Sequence, residues 1–273
     1  MSEIPVLVGI AQNEQRPVDP KASKEPLALM LEALQAAAED AGAPALLTAA
    51  SSVRVVRGMW PYKNPARVIA DAVGCPQAET RMSQFGGNFV QTTVNQSALD
   101  IQNGVHEVIL ITGAECGSTQ AKARRAGLNL REDLAWQPAE GTPDAMIGED
   151  VPMMHDMERA IGLVQPIQYY PMFENALRHH LGESLEAHIQ RVSELWAGFS
   201  RVASANPHAW LRTVLTPDEI ATNSEANSAT RYAKPRGRNS RPSTPCRKNS
   251  GVKTSPMTRV VKTIEPRISL LPR

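Results

Sequence analysis

Along the first 120 residues, short apolar runs typical of strands alternate with segments in which apolar residues recur at helical spacing. Short apolar runs at residues 4–11, 53–56 and 108–112 have the β-branched character of buried strands, and a further short strand is predicted near 80–82. Between them, segments at 24–41, 64–74 and 88–104 repeat apolar residues at helical spacing. Pro65 stands in a first turn, and each helix is ended by a glycine: Gly42, Gly74 or Gly104. The pattern predicts alternating strands and helices.

Such alternation favours a mostly parallel sheet with helices on both faces, and we expect residues 4–11 to be covered on both sides. Ligands of these sheets bind beyond the carboxyl ends of the strands. Gly86, Gly87 and the segment 114–119 follow predicted strands directly. They are therefore the first candidates for a binding site.

Residues 82–119 contain a Gly-Gly loop, a helix, a glycine stop and a buried strand in immediate succession. Asn88 is expected to cap the helix through its side chain, and Gly104 to end it in a left-handed conformation. One face should be apolar, formed by Val90, Val94, Ala98 and Ile101. A helix N-terminus at the edge of a sheet presents N–H groups to an anion or an oxyanion.

The segment 121–222 is predicted to be helical after an irregular, basic beginning. Helices are expected at 165–181 and 185–205, and a third should begin at Thr216 with a capping box. The first two carry amphipathic stripes that include Tyr169, Tyr170 and Trp196, which we assign to a core.

The chain consists of two segments of opposite net charge. Residues 223–273 contain 12 Lys and Arg against 2 acidic residues, a net of +10, whereas residues 1–222 contain 17 basic and 26 acidic residues, a net of −9. The basic part is rich in Ser and Pro and lacks apolar periodicity, so it is predicted to be a disordered tail. Two alternatives for it are non-specific binding to nucleic acid and an origin in a shifted reading frame.

Other features narrow the class of protein. An apolar content of 42% and a net charge of +1 are typical of a globular protein. Cys75, Cys116 and Cys246 form no C-x-x-C pair, and the six histidines form no ligand pattern, so neither disulfides nor a metal site is expected. Without a basic leader or an apolar run of membrane length, a cytoplasmic location is expected. Glu107 and Glu115 are expected to form structural salt bridges.

The order of residues 82–119 resembles the thiolase superfamily, particularly the sterol-carrier-protein-type thiolases and the thiolase-like proteins. In that family this helix begins with the nucleophilic cysteine, and the next strand ends in Gly-x-Glu, here Gly113 to Glu115. The resemblance implies an α/β fold: a thiolase-like half with a mostly parallel sheet at 1–120 and a helical loop insertion at 121–222. The predicted tail at 223–273 rests on composition. In the family, that insertion builds much of the coenzyme A site.

The resemblance implies a protein of lipid metabolism related to acetyl-CoA acyltransferases, which move acyl groups to or from coenzyme A through a cysteine thioester. Gly87 occupies the expected nucleophile position, and the family's C-terminal motifs are absent. We therefore expect a truncated, catalytically impaired protein, with Cys116 as an alternative thiol. The ligand would be coenzyme A or acyl-CoA, with no tightly bound cofactor.

The candidate residues for holding that ligand are Asn88, Lys122, Arg124 and Arg125. The basic side chains could pair with the phosphates of coenzyme A. For partners, the family implies a homodimer or another thiolase-like subunit, and the alternative function is a non-catalytic assembly or binding subunit. Membrane and nucleic-acid partners are not expected.

Overall fold

The structure, a computed structural model, describes residues 4–152 and 154–222 and the backbone of residues 257–264. It divides into two compact units, Met1–Val151 with Lys248–Arg273, and Pro152–Arg247. The described residues of the first unit form the strands β1 (Ile4–Gln12), β2 (Ser52–Val55), β3 (Glu79–Ser83), β4 (Val108–Thr112), β5 (Ala145–Ile147) and β6 (Met257–Ile264). Its helices are α1 (Pro26–Asp40), α2 (Pro65–Val73), α3 (Phe89–Gln102) and α4 (Gly117–Arg125), with 3-10 turns at Pro20–Ala22 and Pro44–Leu46.

The six strands form one sheet in the order β1-β6-β4-β2-β3-β5. The central strand β2 runs parallel to β3 and β4, with Ser52 opposite Glu79 and Ile109, and β3 runs parallel to β5. Strand β6 is antiparallel to both β1 and β4. The prediction of a mostly parallel sheet between helices is confirmed.

Local signals fix the ends of the helices, as α2 shows. The side chain of Asn64 accepts a hydrogen bond from the backbone N–H of Arg67 at 3.2 Å, Pro65 occupies the first turn, and Gly74 ends the helix at φ +85°. The main core lies where α1 and α2 pack on the sheet. Its fully buried members include Leu27, Met30, Leu34, Val53, Val55, Ile69 and Leu110.

Two expectations for the sheet differ from the structure. Strand β1 was predicted to be covered on both faces, but it lies at an edge of the described sheet, and Ile4, Leu7 and Ile10 are exposed. Residues 257–264 fell within the predicted disordered tail and instead form β6, because the hydrogen-bonding edges of β1 and β4 supply backbone partners that the sequence pattern does not reveal. Residues 223–256 and 265–273 lie outside the described residues.

The sheet also continues past residue 120, the predicted end of the thiolase-like half. Strand β5 pairs with β3 through Arg81–Ala145 and Ser83–Ile147, so residues up to Val151 belong to the first unit. The carboxylate of Asp144 holds this strand in place by accepting hydrogen bonds from the backbone N–H and the hydroxyl of Thr80, both at 2.7 Å.

The second unit is helical, as expected, and contains α5 (Asp156–Ala160), α6 (Pro166–His180), α7 (Leu185–Ala205) and α8 (Pro217–Ala221). The capping box predicted at Thr216 is confirmed, with Glu219 as its partner. The assignment of the aromatic stripes to a core is wrong, since Tyr170 and Trp196 are exposed. None of the described side chains of α6 is buried, because no other described element covers its apolar face.

Candidate functional site

The N-terminus of α3 lies just beyond the end of β3, at the edge of the sheet where β2, β3 and β4 end, which we call the carboxyl edge. Asn88 has helical dihedral angles, φ −72° and ψ −21°, and its side chain makes no capping hydrogen bond. The predicted side-chain cap is therefore wrong, because a residue already in the helical conformation directs its side chain away from the first-turn N–H groups. The backbone N–H of Phe89 donates to the carbonyl of Gly86 at 3.2 Å, so the remaining N–H groups of the first turn are the ones that can meet a ligand.

The buried face of α3 also differs from the predicted apolar stripe. Val90 is 39% exposed, whereas Phe89, Thr93, Ser97, Asp100 and Ile101 are buried. Three of these five side chains are polar. The buried guanidinium of Arg54 on β2 donates to Ser97 Oγ at 3.1 Å and to Asp100, and the hydroxyl of Thr93 donates to the carbonyl of Phe89 at 2.7 Å. Val94 and Ile101 of the predicted stripe do pack with Ile109 and Ile111 of β4, and the hydrogen bonds and ion pair to Arg54 hold the rest of the sheet-facing side of α3.

Gly87 is exposed, and a Cβ built there would meet no atom within 4 Å. At Gly86 a Cβ would lie 2.7 Å from Oδ1 of Asn88, the end of an exposed side chain that can move aside. The position expected to hold a nucleophile therefore has space for a side chain but carries none. Nothing at this residue can form a covalent acyl intermediate.

A loop after β2 connects the carboxyl ends of three strands. The backbone N–H of Arg57 donates to Ser83 Oγ of β3 at 2.9 Å, and the indole N–H of Trp60 donates to the carbonyl of Ala114 after β4 at 2.9 Å. Because β2, β3 and β4 are parallel, the Gly86–Gly87 loop and the segment 114–119 lie at the same edge. The structure confirms this predicted placement.

Glu115 does not form the predicted structural salt bridge with any described residue. Its Oε1 instead accepts the backbone N–H of Met59 at 2.5 Å. Burial raises the pKa of the Glu115 carboxyl, against the opposing effect of that N–H. A carboxyl that holds its proton to higher pH at a carboxyl edge is a candidate acid, and its position in Gly-x-Glu directly after a buried strand was the available signal.

Cys116 lies at the start of α4 and is 4% exposed. Its sulfur accepts from the side-chain amide of Gln15 at 3.5 Å and donates to the carbonyl of Lys24 at 3.6 Å. Burial raises the pKa of this thiol to about 12. The thiolate that would act as a nucleophile is therefore scarce at neutral pH.

The three basic candidates lie on the last turns of α4. Lys122 is half-buried and its ammonium donates to the carbonyl of Pro17, whereas Arg124 and Arg125 are exposed. The two arginines are free of ion pairs with described residues, so their guanidinium groups can bind an anion. The role of Lys122 is structural, since its hydrogen bond joins α4 to the loop that follows β1.

Within the described ranges, no three His, Cys, Asp or Glu side chains are grouped so that they could hold a metal ion. No described helix is long and apolar enough to cross a membrane. A shallow groove of about 280 Å³ lies at the opposite end of the strands, lined by residues such as Ser51, His106 and Glu107. It contains none of the predicted site residues.

Two comparisons with known proteins find no relative: no family profile and no curated protein matches the chain. Solved structures do match. The monomeric SCP2-thiolase-like protein type 1 from Mycobacterium smegmatis has a TM-score of 0.61 at 24% identity over 82% of this chain and 40% of its own. An Ltp2-ChsH2(DUF35) aldolase has a TM-score of 0.54 at 18% identity over 95% of this chain and 56% of its own.

The chain has a thiolase-type fold. This similarity explains why a Gly-Gly loop, α3 and β4 follow one another at the centre of the first unit. The chain spans 40% and 56% of the lengths of the two solved structures, so the similarity concerns a part of those proteins. At identities of 18–24% it extends to the fold and not to the reaction.

Proposed function

We propose that this chain is an acyl-CoA-binding protein related to the acetyl-CoA acyltransferases, with impaired catalysis. The observation that carries the proposal is the first turn of α3, which has no side-chain cap and lies at the carboxyl edge of a thiolase-type sheet. N–H groups at such a position stabilise a thioester carbonyl oxygen or a phosphate. Arg124 and Arg125 would contact phosphates of the nucleotide part.

The impaired catalysis follows from the residues at the same edge. Acyl transfer through a cysteine thioester requires a thiolate next to the bound thioester carbon. Gly87 provides none, and the buried thiol of Cys116, with its pKa raised to about 12, holds its proton. The chain would therefore bind the ligand and leave the thioester intact.

A second candidate function is that of a non-catalytic subunit that assembles with another thiolase-like chain. One of the similar structures is described as a complex, Ltp2-ChsH2(DUF35), and this chain spans 56% of the matched protein. A partner chain could then supply the reactive groups that this chain lacks. Binding of acyl-CoA is compatible with this second function.

Calorimetric titration of the purified chain with coenzyme A and acetyl-CoA tests the proposal. We expect saturable binding that weakens at least several-fold in Arg124→Glu. The matched control is Arg201→Glu, an equal charge change at an exposed arginine of α7. Absence of heat up to millimolar ligand, or equal weakening by both variants, would contradict a site at the carboxyl edge.

A further inference from the structure

The starts of the parallel strands β2, β3 and β4 lie side by side, at the end of the sheet opposite the carboxyl edge. The residue before β2, Ser51, is bonded to both neighbouring strands. Its backbone N–H donates to the carbonyl of Val108 at 3.0 Å, and its carbonyl accepts from the N–H of Glu79 at 2.9 Å. His106 lies two residues before β4, so the register of the sheet brings a serine, a histidine and a glutamate together from distant parts of the sequence.

The three side chains are linked in one line. The hydroxyl of Ser51 lies 3.1 Å from Nδ1 of His106, and Nε2 of the same ring lies 2.9 Å from Oε2 of Glu79. With the ring proton on Nε2, the serine donates to the imidazole and the imidazole donates to the carboxylate. This is the order of nucleophile, general base and orienting carboxylate that activates a serine.

The orienting carboxylate is itself fixed in place. Arg81 donates to both oxygens of Glu79, at 2.8 and 2.9 Å. Burial alone would raise the pKa of Glu79, but the hydrogen bonds and charges of Arg81 and His106 lower it below its ordinary value. An ionised carboxylate held in this way keeps the imidazole ring in one orientation and stabilises the imidazolium that forms when the ring takes a proton.

The serine opens to solvent through the shallow groove of about 280 Å³ at this end of the strands. Ser51 is exposed, His106 is half-buried, and both line the groove together with Val105 and Glu107. The serine hydroxyl also lies 3.2 Å from the carbonyl of Val108, and only the form that donates to the imidazole is prepared for attack. The small volume fits a short acyl group, and the carboxylate of Glu107 disfavours an anionic ester.

We propose that Ser51, His106 and Glu79 form an esterase site for small, uncharged oxygen esters. Oγ of Ser51 bonds to the ester carbon while its proton passes to Nδ1 of His106. The ester C–O bond then breaks, and the leaving alcohol takes that proton. Water hydrolyses the acyl-serine by the same path, with His106 again as the base. General-base catalysis of this kind accelerates a reaction by about 10²–10⁴-fold.

Labelling of the full chain with diisopropyl fluorophosphate tests the proposal, because an activated serine displaces the fluoride and keeps the diisopropylphosphoryl group. We expect one such group, located on Ser51 by peptide mass spectrometry, and loss of p-nitrophenyl acetate hydrolysis in step with labelling. Ser51→Ala should lose both. The matched control is Ser204→Ala in α7, where the hydroxyl donates to the carbonyl of Arg201 at 2.7 Å, and it should behave like the wild type.

The two supporting side chains have separate tests. His106→Ala should label about tenfold or more slowly, and free imidazole should restore part of the labelling rate, because it replaces the missing base. Glu79 acts through the imidazole. Glu79→Gln should therefore lower the maximal labelling rate without changing the reagent concentration that gives half of it, and Glu79→Asp should restore part of the rate.

Two results would overturn the proposal: a wild-type chain that takes up no label on Ser51, and a Ser51 that is labelled as fast in His106→Ala as in the wild type. Neither measurement involves coenzyme A. The outcome is therefore independent of ligand binding at α3, at the other end of the strands.

Discussion

The guanidinium of Arg54 lies fully buried beneath α3, where its Nη2 donates to the carboxylate of Asp100. Arg81 donates to the same carboxylate at 3.2 Å, and Gln96 to its other oxygen at 2.8 Å. Ser97 completes the pairing by accepting from Arg54 Nη1 at 3.1 Å. The ion pair thus fastens the helix whose N-terminus forms the candidate site to the middle strand of the sheet.

Removing one partner of this pair should be far more costly than removing both. Asp100→Ala leaves the arginine charge buried without its carboxylate, so we expect the free energy of unfolding to fall by about 3–5 kcal/mol. The double replacement Arg54→Met with Asp100→Leu should recover most of that loss, because it removes the buried charges together. Urea unfolding of both variants measures the difference.

The control is Lys63→Ala, which breaks the exposed ion pair between Lys63 and Glu140. This pair is open to solvent, so its loss should cost less than about 1 kcal/mol. If Asp100→Ala is no more destabilising than this control, Asp100 does not hold α3 in the way described.

The same carboxylate should make stability depend on acid pH. Burial alone would raise the pKa of Asp100, but hydrogen bonds from Arg54 and Gln96 and the nearby guanidinium charges lower it below the ordinary value. Because the folded-state pKa is depressed, its contribution is fully present above the unfolded value of about 4 and is lost as the pH falls towards the folded value.

Urea unfolding at a series of pH values from neutral to below 4 tests this dependence. The wild type should lose more stability than Asp100→Asn as the pH falls through that range, since asparagine binds no proton. Parallel curves for the two proteins would show that Asp100 makes no contribution to the acid transition.

Local signals made the element boundaries predictable, and non-local contacts made the burial pattern unpredictable. Asn64 and Gly74 mark the ends of α2 in the sequence, because helix capping involves only neighbouring residues. The polar part of the buried side of α3 could not be inferred, because Ser97 and Asp100 face inward to accept from Arg54, more than forty residues earlier. An arginine within an apolar strand was the one available signal.

The same limit applies to the helical unit and to the candidate site. The amphipathic stripe through Trp196 was evident, but a stripe shows only that a surface needs a cover and not which surface supplies it. Gly87 could be placed at the carboxyl edge from the order of strands. The role of Glu115 could not be predicted, because its hydrogen bond from the backbone N–H of Met59 depends on how the loop after β2 folds.

Gly87→Cys should introduce a reactive thiol at the site. A side chain there meets no neighbouring atom, and the first turn of α3 stabilises a thiolate, which lowers the thiol pKa. We expect one additional thiol that reacts rapidly with a disulfide reagent at neutral pH, whereas Cys116 reacts only on unfolding because burial raises its pKa to about 12.

The comparison is with Gly87→Ser, which offers a side chain of similar size without a thiol, so the number of fast-reacting groups should differ by one. A new thiol that reacts no faster than the cysteine of a short unstructured peptide would show that the α3 terminus does not activate it. Acyl transfer from acetyl-CoA to the new cysteine would additionally support the proposed ligand.

Gly148 and Gly87 should respond in opposite ways to the addition of one methyl group. A Cβ at Gly148 would lie 2.0 Å from Cε1 of Phe89, and the residue has φ +84°, so Gly148→Ala must displace the ring that begins α3. Overpacking and the left-handed backbone together should cost about 2–4 kcal/mol. Gly87→Ala, with open space, should change the free energy of unfolding by no more than about 0.5 kcal/mol. Urea unfolding of the pair checks this, and equal losses would mean that Phe89 does not pack on Gly148 at the start of α3.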